Sequence, residues 1–510
     1  MATPNEKLAA SLAKLQMLQT DGRCVFRSSE LSKTHRKRLV DQGFLEPVIG
    51  GWLISTRPGI EPGDSTPWFA SFWEFCAYYC TERFGTDWHL SAEQSLLLLA
   101  ENTVVPTQVI VYSTAGINKV QPLLFGTAIL SIKQKEILSG ADFIERGGLR
   151  LVAADAALVK VPEAFFTRSP IEAQVTLLGV KDVSGVLRRL LKGGNSVIAG
   201  RLAGAFRRVG RESFAKEILS TMKSAGYDVR KHDPFAESYK FGTITRAEAP
   251  IVGRLQAIWS SMRADVIKSF PASPGSAADL HAYLQAIDDI YKTDAYNSLS
   301  IEGYQVTPEL IERVRQASWN PDSNAGDKES RDALAARGYY QAFLAVKESV
   351  RQVIGGANAV ALARDSFRDW YRQLFQPCVT AGLVPAAALA GYRNDFVFLR
   401  TSRYVPPRWE VVPEAMSALF ELLESEPEAS VRAVLGHWLF GYIHPFMDGN
   451  GRLARFLMNT MLASGGYPWT VIQVSERSEY LDALNSASLN MDIAPFTAFI
   501  AKSMARAKGV

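Results

Sequence analysis

The stretch His444 to Arg455 reads His-Pro-Phe-Met-Asp-Gly-Asn-Gly-Arg-Leu-Ala-Arg and combines several groups suited to a phosphorylated ligand. An imidazole with an ordinary pKa near ~6.5, as at His444, suits a general base close to neutral pH. Asp448 supplies a hard oxygen ligand for Mg²⁺, and the Asn450 amide can donate to a phosphate oxygen. Gly449 and Gly451 let the backbone turn sharply and approach a ligand closely. Arg452 and Arg455 are three apart and share a helix face. At a helix N-terminus two cations oppose the macrodipole, so a polyanion between them is expected. A nucleoside triphosphate is such an anion. The plainer alternative is a helix-breaking loop with scattered polar residues. Against it, the polar and glycine positions of the loop each have a role in phosphate chemistry.

Two apolar runs must hold this loop. Val431 to Ile443 is apolar nearly all round, as in a buried helix. Pro445 disfavours helical geometry at His444, so that helix is expected to stop there. Leu453, Phe456, Leu457, Thr460 and Met461 recur at helical spacing before Gly465 and Gly466 end the run. The loop therefore feeds a helix N-terminus, where free backbone N–H groups favour an anion.

This segment resembles the signature of the Fic family, H-P-F-x-[DE]-G-N-[GK]-R-x-x-R, at every fixed position. The resemblance implies a mostly helical domain over roughly the C-terminal half of the chain. It implies transfer of AMP from ATP to a Ser, Thr or Tyr hydroxyl of a protein, with ATP and Mg²⁺ required. His444 would take the hydroxyl proton and Asp448 would hold the metal. Phe446, Gly449, Asn450 and Gly451 would shape the nucleotide site and its anion hole, and Arg452 and Arg455 would grip the outer phosphates.

A second stretch, Tyr296 to Gly303, reads Tyr-Asn-Ser-Leu-Ser-Ile-Glu-Gly. Ser298 and Glu302 are four apart, so a helix puts them on one side. The stretch resembles the family's inhibitory motif, [ST]-x-x-x-E-[GN], which implies an inhibitory set of Ser298, Glu302 and Gly303. Glu302 would pair with Arg455 and withhold it from the outermost phosphate; removal of AMP through a water held by Glu302 ranks second. Alternation from Val397 to Pro407 reads as a β-hairpin. In the family a hairpin here is a flap that pairs with the target backbone, making Leu399, Arg400, Thr401 and Ser402 the expected contacts. Ser475 to Leu484 is similar to the adenine-side segment, with Tyr480 the stacking candidate and Leu481 where relatives often have a second tyrosine. His437 reads as packing.

The remainder sets the context. With 510 residues, two to four domains are expected. The composition, 47% hydrophobic and 21% charged, is that of an ordinary globular protein. A net charge of +4 argues neither for nor against nucleic acid. The four cysteines are too few and scattered for a disulfide framework, which suits a reducing compartment. The first residues lack a signal-peptide core, and no apolar run reaches the ~20 residues of a membrane helix. A cytoplasmic protein without a membrane partner is expected.

Near the N-terminus, a leucine-spaced helix over residues 5–19 precedes a basic helix from Lys33 to Gln42, capped by Ser32. Residues 44–54 alternate about Gly50 and Gly51 as a hairpin. Together these predict a small winged helix-turn-helix, with Lys33, Thr34, Arg36, Lys37 and Arg38 as DNA contacts or a solvated basic face. With Leu90 to Val111, the region resembles AbiEi-type antitoxins and regulators. The expected order is a winged helix-turn-helix over 1–58, an AbiEi-like α/β domain over 59–225, a junction over 226–250 and a Fic domain over 251–510. The expected fold class is thus multidomain and mainly α, a small winged helix and α/β region followed by an all-α Fic domain with a β-hairpin flap. The expected activity is auto-inhibited protein adenylyl transfer. The competing class is a DNA-binding regulator or toxin–antitoxin component using the Fic half as a nucleotide sensor. Intact His444 favours the enzyme, and Gly451, where a kinase-like variant carries Lys, disfavours phosphorylation. Double-stranded DNA and a second copy of the chain are the partners left open beside the target protein.

Overall fold

The computed structural model describes residues 3–58, 64–138, 140–237, 239, 241, 249–275, 279–316, 331–400 and 402–507. Contacts divide the chain into two units, Met1–Tyr239 with Phe398–Val405, and Lys240–Val397 with Pro406–Val510.

In the first unit, α1 (Pro4–Leu18) opens with a capping box between Thr3 and Glu6. Then follow β1 (Val25–Arg27), α2 (Lys33–Asp41), β2 (Leu45–Pro47) and β3 (Trp52–Ser55). Ser32 caps α2 by accepting from the His35 N–H. Gly50 and Gly51, both at positive φ, turn β2 into β3. The three strands form an antiparallel sheet in the order β1-β3-β2. Leu15, Phe26, Leu39, Leu45 and Leu53 close a small core beneath the helices.

A larger core gathers on α3 (Thr66–Phe84), where Trp68, Phe72, Phe75, Cys76 and Cys80 are fully buried. It packs against strands β4 (His89–Leu90), β5 (Gln108–Ser113), β7 (Ala128–Lys133) and β9 (Leu149–Val152); β6 (Lys119–Pro122) and β8 (Phe143–Arg146) pair with β7 and β9. Strands β4, β5, β7 and β6 make a mixed sheet in that order, whose β5–β7 pair is parallel. Residues 103–106 precede β5 without strand structure. Helices over Pro170–Gly179, Ser184–Gly193, Ser196–Arg208 and Glu212–Ser224 complete this unit. Within the junction expected over 226–250, residues 238, 240 and 242–248 lie outside the described residues.

The second unit is helical: α11 (Pro250–Ser269), α12 (Leu280–Ile301), α13 (Pro308–Arg315), α14 (Arg331–Ile354), α15 (Ala359–Thr380), α16 (Val412–Ser425), α17 (Ala429–Ile443), α18 (Asn450–Ala463), α19 (Arg477–Asn490) and α20 (Ala494–Ala507), numbered after α4 (Ala92–Leu99) and the six helices, α5 to α10, that the first unit carries between Ala154 and Ser224. The helix α17 is buried almost along its whole length, as its all-round apolarity requires, and packs against α18. Among the described residues, no helix is long and apolar enough to cross a membrane.

The β-hairpin expected at Val397–Pro407 is not formed among the described residues. Its middle, Phe398–Val405, belongs to the first unit. There the Val105 N–H donates to the Arg403 carbonyl at 2.8 Å, the Thr103 hydroxyl donates to the Val405 carbonyl, and Arg400 pairs with Asp64 at 3.2 Å. Alternation supplied the pattern of a strand, but backbone and side-chain partners in residues 64–105 take up the segment instead.

Candidate active site

The loop between α17 and α18 lies wholly in the second unit. His444 caps α17 in the left-handed region, φ +52°, a conformation that costs a non-glycine residue on the order of 1 kcal/mol. Several bonds hold it there. The His444 N–H donates to the Phe440 carbonyl at 2.9 Å. Arg393, 4% exposed, donates from Nε to the His444 carbonyl at 2.8 Å and from its main-chain N–H to the Pro445 carbonyl at 2.8 Å. It also reaches the Asp395 and Pro407 carbonyls. Arg393 thus ties Asp395 and Pro407 to the backbone of the histidine.

The His444 ring faces the Gly441 carbonyl through Nδ1 at 3.3 Å. A carbonyl only accepts, so this bond assigns the proton to Nδ1 and leaves the lone pair on Nε2. Burial lowers the His444 pKa to about 4, against the opposing pull of the Gly441 bond and with help from Arg393. At neutral pH the ring is uncharged and able to accept a proton.

Asn450 closes the loop: its Oδ1 accepts from the Phe446 N–H at 2.9 Å and its Nδ2 donates to the Phe446 carbonyl at 2.8 Å. The sequence reading made Asn450 a phosphate donor; in the structure its carbonyl and one amide N–H serve the loop itself. Phe446, expected beside the nucleotide, has its ring buried instead, stacked on Tyr371 with centroids 4.0 Å apart. It anchors the loop in the aromatic core. Gly449, φ +83°, starts α18, and a Cβ there would lie 2.7 Å from the Phe375 ring. Only glycine satisfies both conditions.

The two arginines of α18 are buried cations, 1% and 4% exposed. The Arg455 Nε donates to the Ser298 hydroxyl at 2.7 Å, and its Nη2 donates to the Ser298 carbonyl at 3.0 Å and to Glu302 Oε1 at 2.7 Å. Burial opposes the Arg455 charge, yet the facing Glu302 carboxylate more than offsets this and raises its pKa. Glu302 is the C-cap of α12, and Gly303 at φ +90° ends that helix. A Cβ on Gly451 would fall 2.3 Å from Glu302 Oε1, so the carboxylate lies directly over the glycine. Arg452 lies 3.4 Å from Asp448 Oδ1, and its guanidinium lies over the rings of Tyr304 and Phe375 at 5.2 and 5.1 Å. Among the described residues Arg452 Nε and Arg455 Nη1 have no hydrogen-bond partner although buried. Buried donors of this kind are costly unless an acceptor arrives.

The Asp448 carboxylate is 54% exposed, with Oδ1 accepting from the Gly449 N–H at 2.6 Å. Among the described residues no cluster of three or more His, Cys, Asp or Glu could hold a metal. A metal here would have one protein carboxylate and complete its shell with substrate oxygens and water, a donor set that suits Mg²⁺.

Tyr480 is 3% exposed, its hydroxyl 2.8 Å from His437 Nε2 and its ring against Phe496 and Phe499. The structure places it in the core behind Arg455 rather than on an open wall. Leu399, Arg400 and Ser402 lie in the first unit, and Thr401 is outside the described residues. Sequence reasoning missed Arg393, Tyr304 and Phe375. No spacing rule links them to the loop, although Tyr304 directly follows the inhibitory stretch and Arg393 precedes the alternating run.

Of the basic positions on α2, Arg36 donates to the Ser28 carbonyl at 3.2 Å, and Arg38 to the Lys7 carbonyl and the Ser11 hydroxyl at 2.7 Å each. Lys33, Thr34 and Lys37 are exposed.

Residues 361–462 match the model of the Fic/DOC family. The protein adenylyltransferase Fic of Nematostella vectensis is 41% identical over 119 residues, 22% of this chain and 27% of that protein. That of Drosophila willistoni is 41% identical over 114 residues, 22% of each. The chain thus spans about a quarter of the length of these relatives. Among solved structures, a Fic-domain signalling protein from Bacteroides thetaiotaomicron aligns with a TM-score of 0.36 at 20% identity, covering 50% of this chain and 94% of that one. Fic-1 from C. elegans aligns with a TM-score of 0.37 at 16% identity, covering 67% and 98%. The loop that carries His444, Asp448, Arg452 and Arg455 lies inside the segment that is similar to the Fic/DOC family.

Proposed function

We propose that this chain is an ATP- and Mg²⁺-dependent protein adenylyltransferase held in check by its own Glu302. The observation that carries the reading is the arrangement of one neutral imidazole and two buried, incompletely satisfied guanidinium groups around a glycine-flanked helix N-terminus. The hydroxyl oxygen of a Ser, Thr or Tyr bonds to the α-phosphorus, and the bond from that phosphorus to the bridging oxygen breaks. Pyrophosphate leaves, and the hydroxyl proton passes to His444 Nε2. Asp448 would hold Mg²⁺, which supplies charge neutralisation on the leaving diphosphate. Arg452 and the first-turn N–H groups of α18 take the phosphate charge. Arg455, when paired with Glu302 and Ser298, is withheld from the outermost phosphate, which is the basis of the inhibition. The test is label transfer by the full-length Glu302→Gly chain. Label from the α-phosphate of ATP is expected on protein, and label from the γ-phosphate is not. γ-Label on protein would replace adenylyl with phosphoryl transfer.

A second reading concerns the first unit. Two helices and the β1-β3-β2 sheet are the parts of a winged helix-turn-helix, and the exposed Lys33, Thr34 and Lys37 on α2 support a role in contacting duplex DNA. It is independent of the transfer chemistry.

A further inference from the structure

The stretch that carries Glu302 also carries a ring that touches the other arginine. Arg452 is a fully buried cation whose ion partner, Asp448, stands at 3.4 Å, longer than a close charge-assisted bond. What lies against its guanidinium is aromatic: Tyr304 at 5.2 Å and Phe375 at 5.1 Å. Both rings are held. Phe375 is buried beneath Gly449, where no side chain fits. The Tyr304 N–H donates to the Leu299 carbonyl at 3.1 Å, the Gln305 N–H donates to Asp332 at 3.2 Å, and the Arg331 guanidinium lies 5.3 Å from the Tyr304 ring. A planar cation with aromatic rings against it keeps its edge N–H groups for an acceptor, and the unpartnered Arg452 Nε is one of them.

We propose that Tyr304 is a positioning residue that presents Arg452 to the phosphates of ATP. The proposal rests on the reading that the loop holds ATP. The segment after α12 then has two opposite effects. Glu302 withholds Arg455, while Tyr304, two residues on, readies Arg452. Removing the carboxylate and removing the segment are therefore not equivalent, and only the first gives a fully competent site.

The test is calorimetric binding of ATP and of AMP to the full-length Glu302→Gly chain and to the same chain with Tyr304→Leu or Tyr304→Phe. Leu keeps much of the bulk without the π face, and Tyr304 is only half-buried in a loop, so folding is retained. The expected result for Tyr304→Leu is an ATP Kd raised about tenfold with the AMP Kd unchanged, because AMP lacks the outer phosphates. Tyr304→Phe should restore the ATP affinity. An ATP affinity indifferent to Tyr304→Leu, equal weakening by Phe and Leu, or equal weakening for ATP and AMP would overturn the proposal. A Glu302→Gly chain that shows this Tyr304 dependence yet transfers no label would uphold it while refuting the adenylyl-transfer reading.

Discussion

His444 combines a strained backbone, a fixed tautomer and a depressed pKa. The left-handed φ follows from Pro445, which prevents the helix from continuing, and the Arg393 bonds make that conformation tolerable. The ring is neutral above about pH 4 and loses its capacity as a base only as the pH falls through that value. The acid limb of a pH–rate profile for Glu302→Gly self-modification should therefore lie below pH 5, not near the ordinary ~6.5 of histidine. A limb near ~6.5 would mean that the ring is solvated when it acts. That His444, Asp448, Arg452 and Arg455 lie on one loop and helix start was legible because their spacing is local. The Tyr304 and Phe375 rings against Arg452 were not legible, because nothing in a linear sequence states which ring will lie against which cation.

At the scale of elements, the site depends on two helix ends meeting. The stop of α17 and the start of α18 were readable from Pro445 and Gly449, since both act through backbone geometry alone. The Asn450 side chain then ties the two ends through the Phe446 main chain at 2.8 and 2.9 Å. Replacing Asn450 with Ala leaves a buried N–H and a buried carbonyl without partners. A loss of about 1–3 kcal/mol is expected, measured as a lower thermal midpoint and a weaker ATP affinity together. A normal midpoint would show that water substitutes for the amide. The flap segment teaches the opposite lesson. Its alternation was real, but a strand needs a partner, and in the structure Arg403 and Val405 find theirs in Val105 and Thr103. Likewise β6, the edge of its sheet, carries no buried residue and so gave no two-residue period to detect.

At the scale of the whole molecule, the chain carries two units with separate chemistry to test. In the first, Arg36 and Arg38 are engaged by backbone and serine partners, so the exposed Lys33 and Lys37 are the residues to change. If α2 meets duplex DNA, each Lys→Ala substitution should weaken binding across sequences and reduce the salt slope by about one. A mobility-shift series over salt concentration reads this, and an unaltered slope would assign the basic face to solvent. In the second unit, the central claim is that the His444 loop delivers AMP to a hydroxyl once Glu302 releases Arg455. The most direct measurement is the intact mass of the purified full-length chain after incubation with ATP and Mg²⁺, for the unaltered protein, Glu302→Gly, and Glu302→Gly with His444→Ala. An adenylyl adduct on the Glu302→Gly chain, scarce on the unaltered protein and absent when His444 is also changed, is the predicted result. An adduct that persists without His444, or that is no more abundant after Glu302→Gly than before, would contradict the account.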